Sequence, residues 1–81
     1  MRDGIRQVLD EHAHLKVSAA ELEPYDDLYQ KGMTSHASVN VMLALEERFG
    51  IEFPDHMLTR SAFATLANIE RSVSELTGVA S

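Results

Sequence analysis

Between Gly32 and Gly50 the chain runs from Ser35 to Phe49 without a glycine or a proline. An uninterrupted stretch of that length reads as one helix. Wound at about 100° per residue, it places Val41, Met42, Leu45 and Phe49 on one side, the stripe a helix buries against a core. It therefore predicts one helix over 35–49, with Ser35 at or near its N-cap and Gly50 as its stop.

Two further helical patterns flank it. Ile5, Val8, Leu9, His12 and Leu15 recur at three- and four-residue spacing, which predicts a helix over residues 3 to 15 with Asp3 as a candidate cap. Leu66, Ile69, Val73 and Leu76 form a 3-4-3 stripe, with Ser61 or Thr65 near its start and Gly78 at its end. Between the long helix and this last one, Ile51, Glu52 and Phe53 make an extended link into Pro54. Asp55 and the residues to Leu58 predict one short helical turn. Residues 16 to 34 carry no sustained period and contain Pro24, the pair Asp26-Asp27 and Gly32. They form a long connection packed down by Leu22, Tyr25, Leu28, Tyr29 and Met33, with Leu28 and Met33 as its anchors. No strand pattern appears. The expectation is an all-α four-helix bundle over residues 1–81, a single domain with three longer helices, one short helix and a long first loop.

Charge and size narrow the function. Thirteen Asp and Glu against seven Lys and Arg give a formal charge of −6, the wrong sign for binding phosphate-rich nucleic acid or an anionic membrane. Eighty-one residues leave a thin core and little room for a water-excluding catalytic pocket. No cysteine is present, which suits a reducing, cytoplasmic compartment. The first residues carry Asp3, Arg6, Asp10 and Glu11 without an apolar block, so neither a secretory signal nor a membrane span is expected. His12, His14 and His56 lack metal-ligand spacing with clustered acids, so no metal is expected.

The long helix has a second face. Val39 and Leu43 fall opposite the core stripe beside His36, Asn40, Glu46 and Glu47, an apolar pair rimmed by carboxylates. That composition suits a docking surface, with apolar groups for contact area and acids for orientation. It is equally compatible with burial of the pair beneath the long loop. Ser35 opens the helix where a cap is common, and where free N–H groups and the positive end of the helix dipole would also accommodate a phosphodiester. His36 cannot readily activate its neighbour, because consecutive helical residues point about 100° apart and no third group orients it. A small hydrolase built on Ser35 therefore fails, no catalytic residue is expected, and Asp26-Asp27 reads as a loop-fixing pair.

Two motifs in register sharpen the reading. The run Asp26-Asp27-Leu28-Tyr29-Gln30-Lys31-Gly32-Met33-Thr34-Ser35 resembles the segment before the modified serine of acyl and peptidyl carrier proteins. Ala44-Leu45-Glu46-Glu47-Arg48-Phe49-Gly50-Ile51-Glu52-Phe53-Pro54-Asp55 resembles the second-helix end and third-helix lead-in of the same family. The resemblance covers essentially the whole chain. It implies a non-catalytic, monomeric carrier whose Ser35 receives 4′-phosphopantetheine from coenzyme A by a separate phosphopantetheinyl transferase. The arm's thiol would hold a thioester cargo, supplied by a loading enzyme and passed to a downstream acceptor enzyme. Thr34, His36, Val39, Asn40, Leu43, Glu46 and Glu47 are the candidate residues for partner contact.

The departures from the family pattern are informative. Thr34-Ser35-His36 departs from the usual Asp or His-like residue before the serine and Leu after it, and Ala37, Ser38 and Asn40 stand where fatty-acid carriers tend to place acids. Basic patches of elongation enzymes would find fewer charges to pair with. The Gly-Met-Thr-Ser-His run resembles the small discrete carriers served by ATP-dependent ligases related to class II aminoacyl-tRNA synthetases, which load an amino acid. The alternatives are a carrier of fatty acid or polyketide synthesis, and an unmodified four-helix protein-protein adaptor.

Overall fold

The computed structural model describes residues 2–78, so Met1 and the last three positions of the expected domain lie outside the described residues. Three helices, α1 (Arg2–His12), α2 (Ser35–Phe49) and α3 (Leu66–Thr77), pack around one core, and no strand occurs among the described residues. Ile5 and Leu9 of α1, Val41 and Leu45 of α2, and Leu66, Ile69 and Val73 of α3 are fully enclosed together with Leu28 from the long loop. Each such side chain contributes roughly 1.5–3 kcal/mol by leaving water, which is how so small a chain offsets its conformational entropy.

Helix α2 has the bounds the glycine punctuation predicts. Gly50 adopts the left-handed conformation at φ 63° and donates to the carbonyl of Glu46, closing the last turn. Met42 and Phe49 pack against the core while partly buried, and Ala37 near the start of the helix is buried within it. Helix α3 is capped by the Thr65 hydroxyl, which accepts from the amide of Asn68 at 3.1 Å, and ends at Gly78.

Helix α1 is shorter than its apolar spacing suggests. It stops at His12, and Asp3 lies inside its first turn rather than at its cap. Ala13 still donates to Leu9, but His14 turns left-handed at φ 55° and the chain leaves the axis. The Lys16 amide then donates to the Lys31 carbonyl at 2.8 Å. Leu15 packs against the core from this turn, so its place in the helical period reflects burial without helix.

The long connection contains a 3-10 turn, Ala19–Glu21, which α1 holds from below. The Arg6 guanidinium donates to the carbonyls of Ala19 and Leu22, and the Asp10 carboxylate, one helical turn on, accepts from the Ala19 amide at 2.8 Å. Leu22, Leu28 and Met33 are buried as expected. Tyr25 is not: it is 81% exposed, because Glu23–Asp26 close a turn with Pro24 at its second position and carry Tyr25 to the tip. The expected short helical turn at residues 55–58 is present as a 3-10 turn, and a second 3-10 turn follows it before α3. Asp55–Met57 and Ser61–Phe63 are separate 3-10 turns, the first ended by Leu58 at φ −88°, ψ 63°.

Candidate functional site

Ser35 stands one position inside α2, because Thr34 takes the cap. The Thr34 backbone is extended and its Oγ1 accepts from the Ala37 amide at 3.0 Å. Capping, the ordinary reason for a serine at a helix start, is thereby assigned to its neighbour. The Ser35 hydroxyl is exposed and makes no hydrogen bond to the described residues, while its carbonyl accepts from the Ser38 hydroxyl at 2.6 Å. At this first turn the amides of Ser35 and His36 have no intrahelical acceptor, so unpaired donors and the positive end of the helix dipole surround a free hydroxyl.

The approach to Ser35 is fixed by the preceding loop. Asp27 accepts from the Tyr29 amide and Asp26 from the Glu23 amide, both at 2.9 Å, so the acidic pair shapes the backbone as its position suggested. Leu28 is tied to the α3 side through its amide, which donates to the Ala64 carbonyl at 2.7 Å, and the amide of Met33 returns to the Leu28 carbonyl at 3.1 Å. Gly32, at φ 117°, lets the chain pass directly over Lys16 before it enters α2.

An open groove of about 340 Å³ begins at Ser35. One wall is α2, with Val39 and Met42; the other is the link between the 3-10 turns, with Leu58, Thr59 and Arg60, and Phe63 and Tyr29 complete it. The Arg60 guanidinium lies 3.8 Å from the centre of the Tyr29 ring, and the Tyr29 hydroxyl donates to the Arg60 carbonyl at 3.2 Å. Phe53 meets Phe63 edge-on at 5.4 Å and seats this wall on the core. This groove was not legible in the sequence, since half of it comes from residues 58–63, which carry no periodic pattern.

The residues expected to meet partners separate into two groups. Val39 and Leu43 are 51% and 53% exposed, so the long loop does not cover them. His36 and Glu47 are exposed beside them, and Asn40 is half-buried. Thr34 and Glu46 have tasks inside the fold: Thr34 caps α2, and the half-buried Glu46 carboxylate accepts from the Phe53 amide at 2.8 Å, holding the link that follows the helix. No group of three or more His, Cys, Asp or Glu side chains among the described residues could hold a metal ion. No described helix is long and apolar enough to cross a membrane.

Comparison with known proteins agrees with this geometry. A sequence profile described as a phosphopantetheine attachment site matches residues 6–77. An aminoacyl carrier protein of Agrobacterium fabrum is 41% identical over 73 residues, covering 90% of this chain and 88% of that protein. A carrier protein from Agrobacterium tumefaciens, solved in complex with an engineered Bradyrhizobium japonicum glycine:carrier protein ligase and AMP, superposes with a TM-score of 0.88 at 40% identity. It covers 91% of this chain and 99% of its own. A crystal structure of the Bradyrhizobium japonicum ligase with a glycylated carrier protein matches with a TM-score of 0.74 at 28% identity, over 88% of this chain and 95% of that one.

Proposed function

Because this chain belongs to the phosphopantetheine attachment family, we propose that it is a discrete carrier domain that holds an amino acid on an arm attached to Ser35. The observation that carries this reading is the uncommitted Ser35 hydroxyl at the mouth of α2, relieved of capping by Thr34. The residues present suit the group: a free hydroxyl to be esterified, unpaired amides and a helix dipole for its phosphodiester, and a groove leading away. When bound, 4′-phosphopantetheine supplies a terminal thiol that carries the cargo as a thioester. The chain has no cysteine, so no side chain competes with that thiol during loading.

The protein's own contribution is display and recognition. Holding the cargo beside a partner's site raises its effective concentration there, and the partner enzymes do the bond chemistry. Val39 and Leu43 supply apolar contact area next to Ser35, and Glu47 supplies charge that steers a basic partner surface onto it. The relatives bound to a glycine-loading ligase support an aminoacyl cargo over a fatty acyl one. In this reading a phosphopantetheinyl transferase, an ATP-dependent ligase and a downstream acceptor enzyme visit the same face in turn, and the carrier works as a monomer in the cytoplasm.

Intact mass spectrometry tests it. Coenzyme A with a promiscuous phosphopantetheinyl transferase should add about 340 Da to the chain and nothing to the Ser35→Ala variant. Glycine, ATP and a glycine:carrier protein ligase should then add about 57 Da to the modified form alone. A chain that keeps its mass through the first step is an unmodified adaptor, and the carrier reading fails.

A further inference from the structure

The surface of the groove that starts at Ser35 is mostly apolar, yet among the residues lining it one carries charge at neutral pH, and that residue is Arg60. Its guanidinium is positioned rather than free, because it lies over the Tyr29 ring while the Tyr29 hydroxyl donates to its carbonyl. No carboxylate among the described residues pairs with it. The groove thus combines the apolar side chains of Val39, Met42, Leu58 and Phe63 with a positive charge that no described carboxylate pairs.

We propose that Arg60 makes this groove selective by charge: it turns away a cargo that ends in an ammonium group and admits a neutral acyl group of the same size. The inference rests on the attachment of the arm to Ser35 proposed above. An aminoacyl thioester keeps a protonated amine next to its carbonyl, so entering the groove would desolvate that cation and bring it toward a second one. A neutral acyl group meets neither cost and gains contact with the apolar lining. An amino acid on the arm therefore stays in solvent, available to a partner enzyme, where a neutral chain of matching length would fold back onto the protein. Arg60 acts here on cargo placement, with no part in any bond-making step.

The test compares cargoes that differ only in charge. Coenzyme A analogues bearing amide-linked glycyl or propionyl groups, and a longer pair ending in ammonium or methyl, are attached to the chain by a phosphopantetheinyl transferase, and each product is verified by mass. Methyl resonances of Val39, Met42 and Leu58, and nuclear Overhauser contacts from cargo to Phe63, report groove occupancy. At effective dielectrics between those of protein surface and water, a cation several ångströms from Arg60 should occupy the groove about five- to tenfold less than its neutral counterpart. Arg60→Gln should narrow that gap and Arg60→Glu should close or invert it, with melting curves checking that both variants remain folded. Equal occupancy by charged and neutral cargo, a gap unchanged by Arg60→Glu, or no groove contact from any of the four cargoes would overturn the proposal. A chain that gains no mass would instead refute the attachment on which it rests.

Discussion

Replacing Gly32 by alanine tests how the loop delivers Ser35 to the helix mouth. Gly32 sits at φ 117°, a region that residues with a Cβ rarely enter, and holding one there costs about 1–3 kcal/mol. A Cβ at this position would also lie 3.2 Å from the Lys16 backbone nitrogen and 3.4 Å from the His14 carbonyl oxygen. Those atoms cannot yield easily, since the Lys16 amide is hydrogen-bonded to the Lys31 carbonyl. The crowding adds roughly 1 kcal/mol, and alanine's smaller unfolded-state entropy returns about 0.4–1 kcal/mol. The net loss is about 1–3.5 kcal/mol, a fall in melting temperature on the order of 5–25 °C for a chain of this size. Gly50 is the internal control: at φ 63° it needs the left-handed conformation, but a Cβ there meets nothing within 4 Å, so Gly50→Ala should cost only about 1 kcal/mol. Urea and thermal denaturation followed by circular dichroism give both numbers. Equal losses at the two glycines, or a loss at Gly32 below about 0.5 kcal/mol, would show that the close passage over Lys16 is not what fixes the loop.

Three other perturbations separate folding from docking. Arg6→Ala removes the donor to two loop carbonyls and should cost about 2 kcal/mol by chemical denaturation; Asp10→Ala should cost less, and the double variant less than the sum, because both side chains hold the same turn. Glu47→Lys should leave the melting temperature within a degree or two while slowing ligase loading, most strongly at low salt, whereas Glu46→Lys should lower stability as well by releasing the Phe53 amide. Val39→Ser and Leu43→Ser should weaken binding of a loading enzyme several-fold in a titration with little change in melting temperature, since both side chains are half in solvent.

The sequence is most legible where one physical rule acts alone. Helix α2 could be bounded to the residue because Gly32 and Gly50 punctuate a stretch with no internal breaker, and Leu22, Leu28 and Met33 could be named as packing residues because they are apolar side chains in an otherwise largely polar loop. It misleads where a tertiary contact takes over: Leu15 keeps the helical register, but the hydrogen bond from Lys16 to Lys31 pulls the backbone out of the helix at His14. Tyr25 shows the converse failure, since its bulk suggested packing and the turn at Pro24 turned it outward. Glu46 was expected to face a partner and Arg6 was given no structural task, yet both spend their hydrogen bonds on backbone groups farther along the chain, partners that no local pattern exposes. The groove is the extreme case, because its two walls come from segments that are adjacent only after folding.

The division of labour between Thr34 and Ser35 bears on how such a carrier can be loaded without being destabilised. Had Ser35 been the cap, esterifying its hydroxyl would have weakened an acceptor that the helix start relies on, and loss of a cap costs about 1 kcal/mol. With Thr34 accepting from Ala37, the Ser35 oxygen has no structural bond to lose. A phosphodiester placed there would face unpaired amides and the positive end of the α2 dipole, an interaction worth about 0.3–1 kcal/mol in the favourable direction. The same one-residue offset keeps the fold independent of the arm, so the core can form from Leu28, Val41, Leu45 and their neighbours before any partner arrives. Under the proposals made above, what distinguishes one cargo from another would reside outside the core, in the groove wall at Arg60 and in the exposed face of Val39 and Leu43, where substitutions should alter recognition while leaving the scaffold intact.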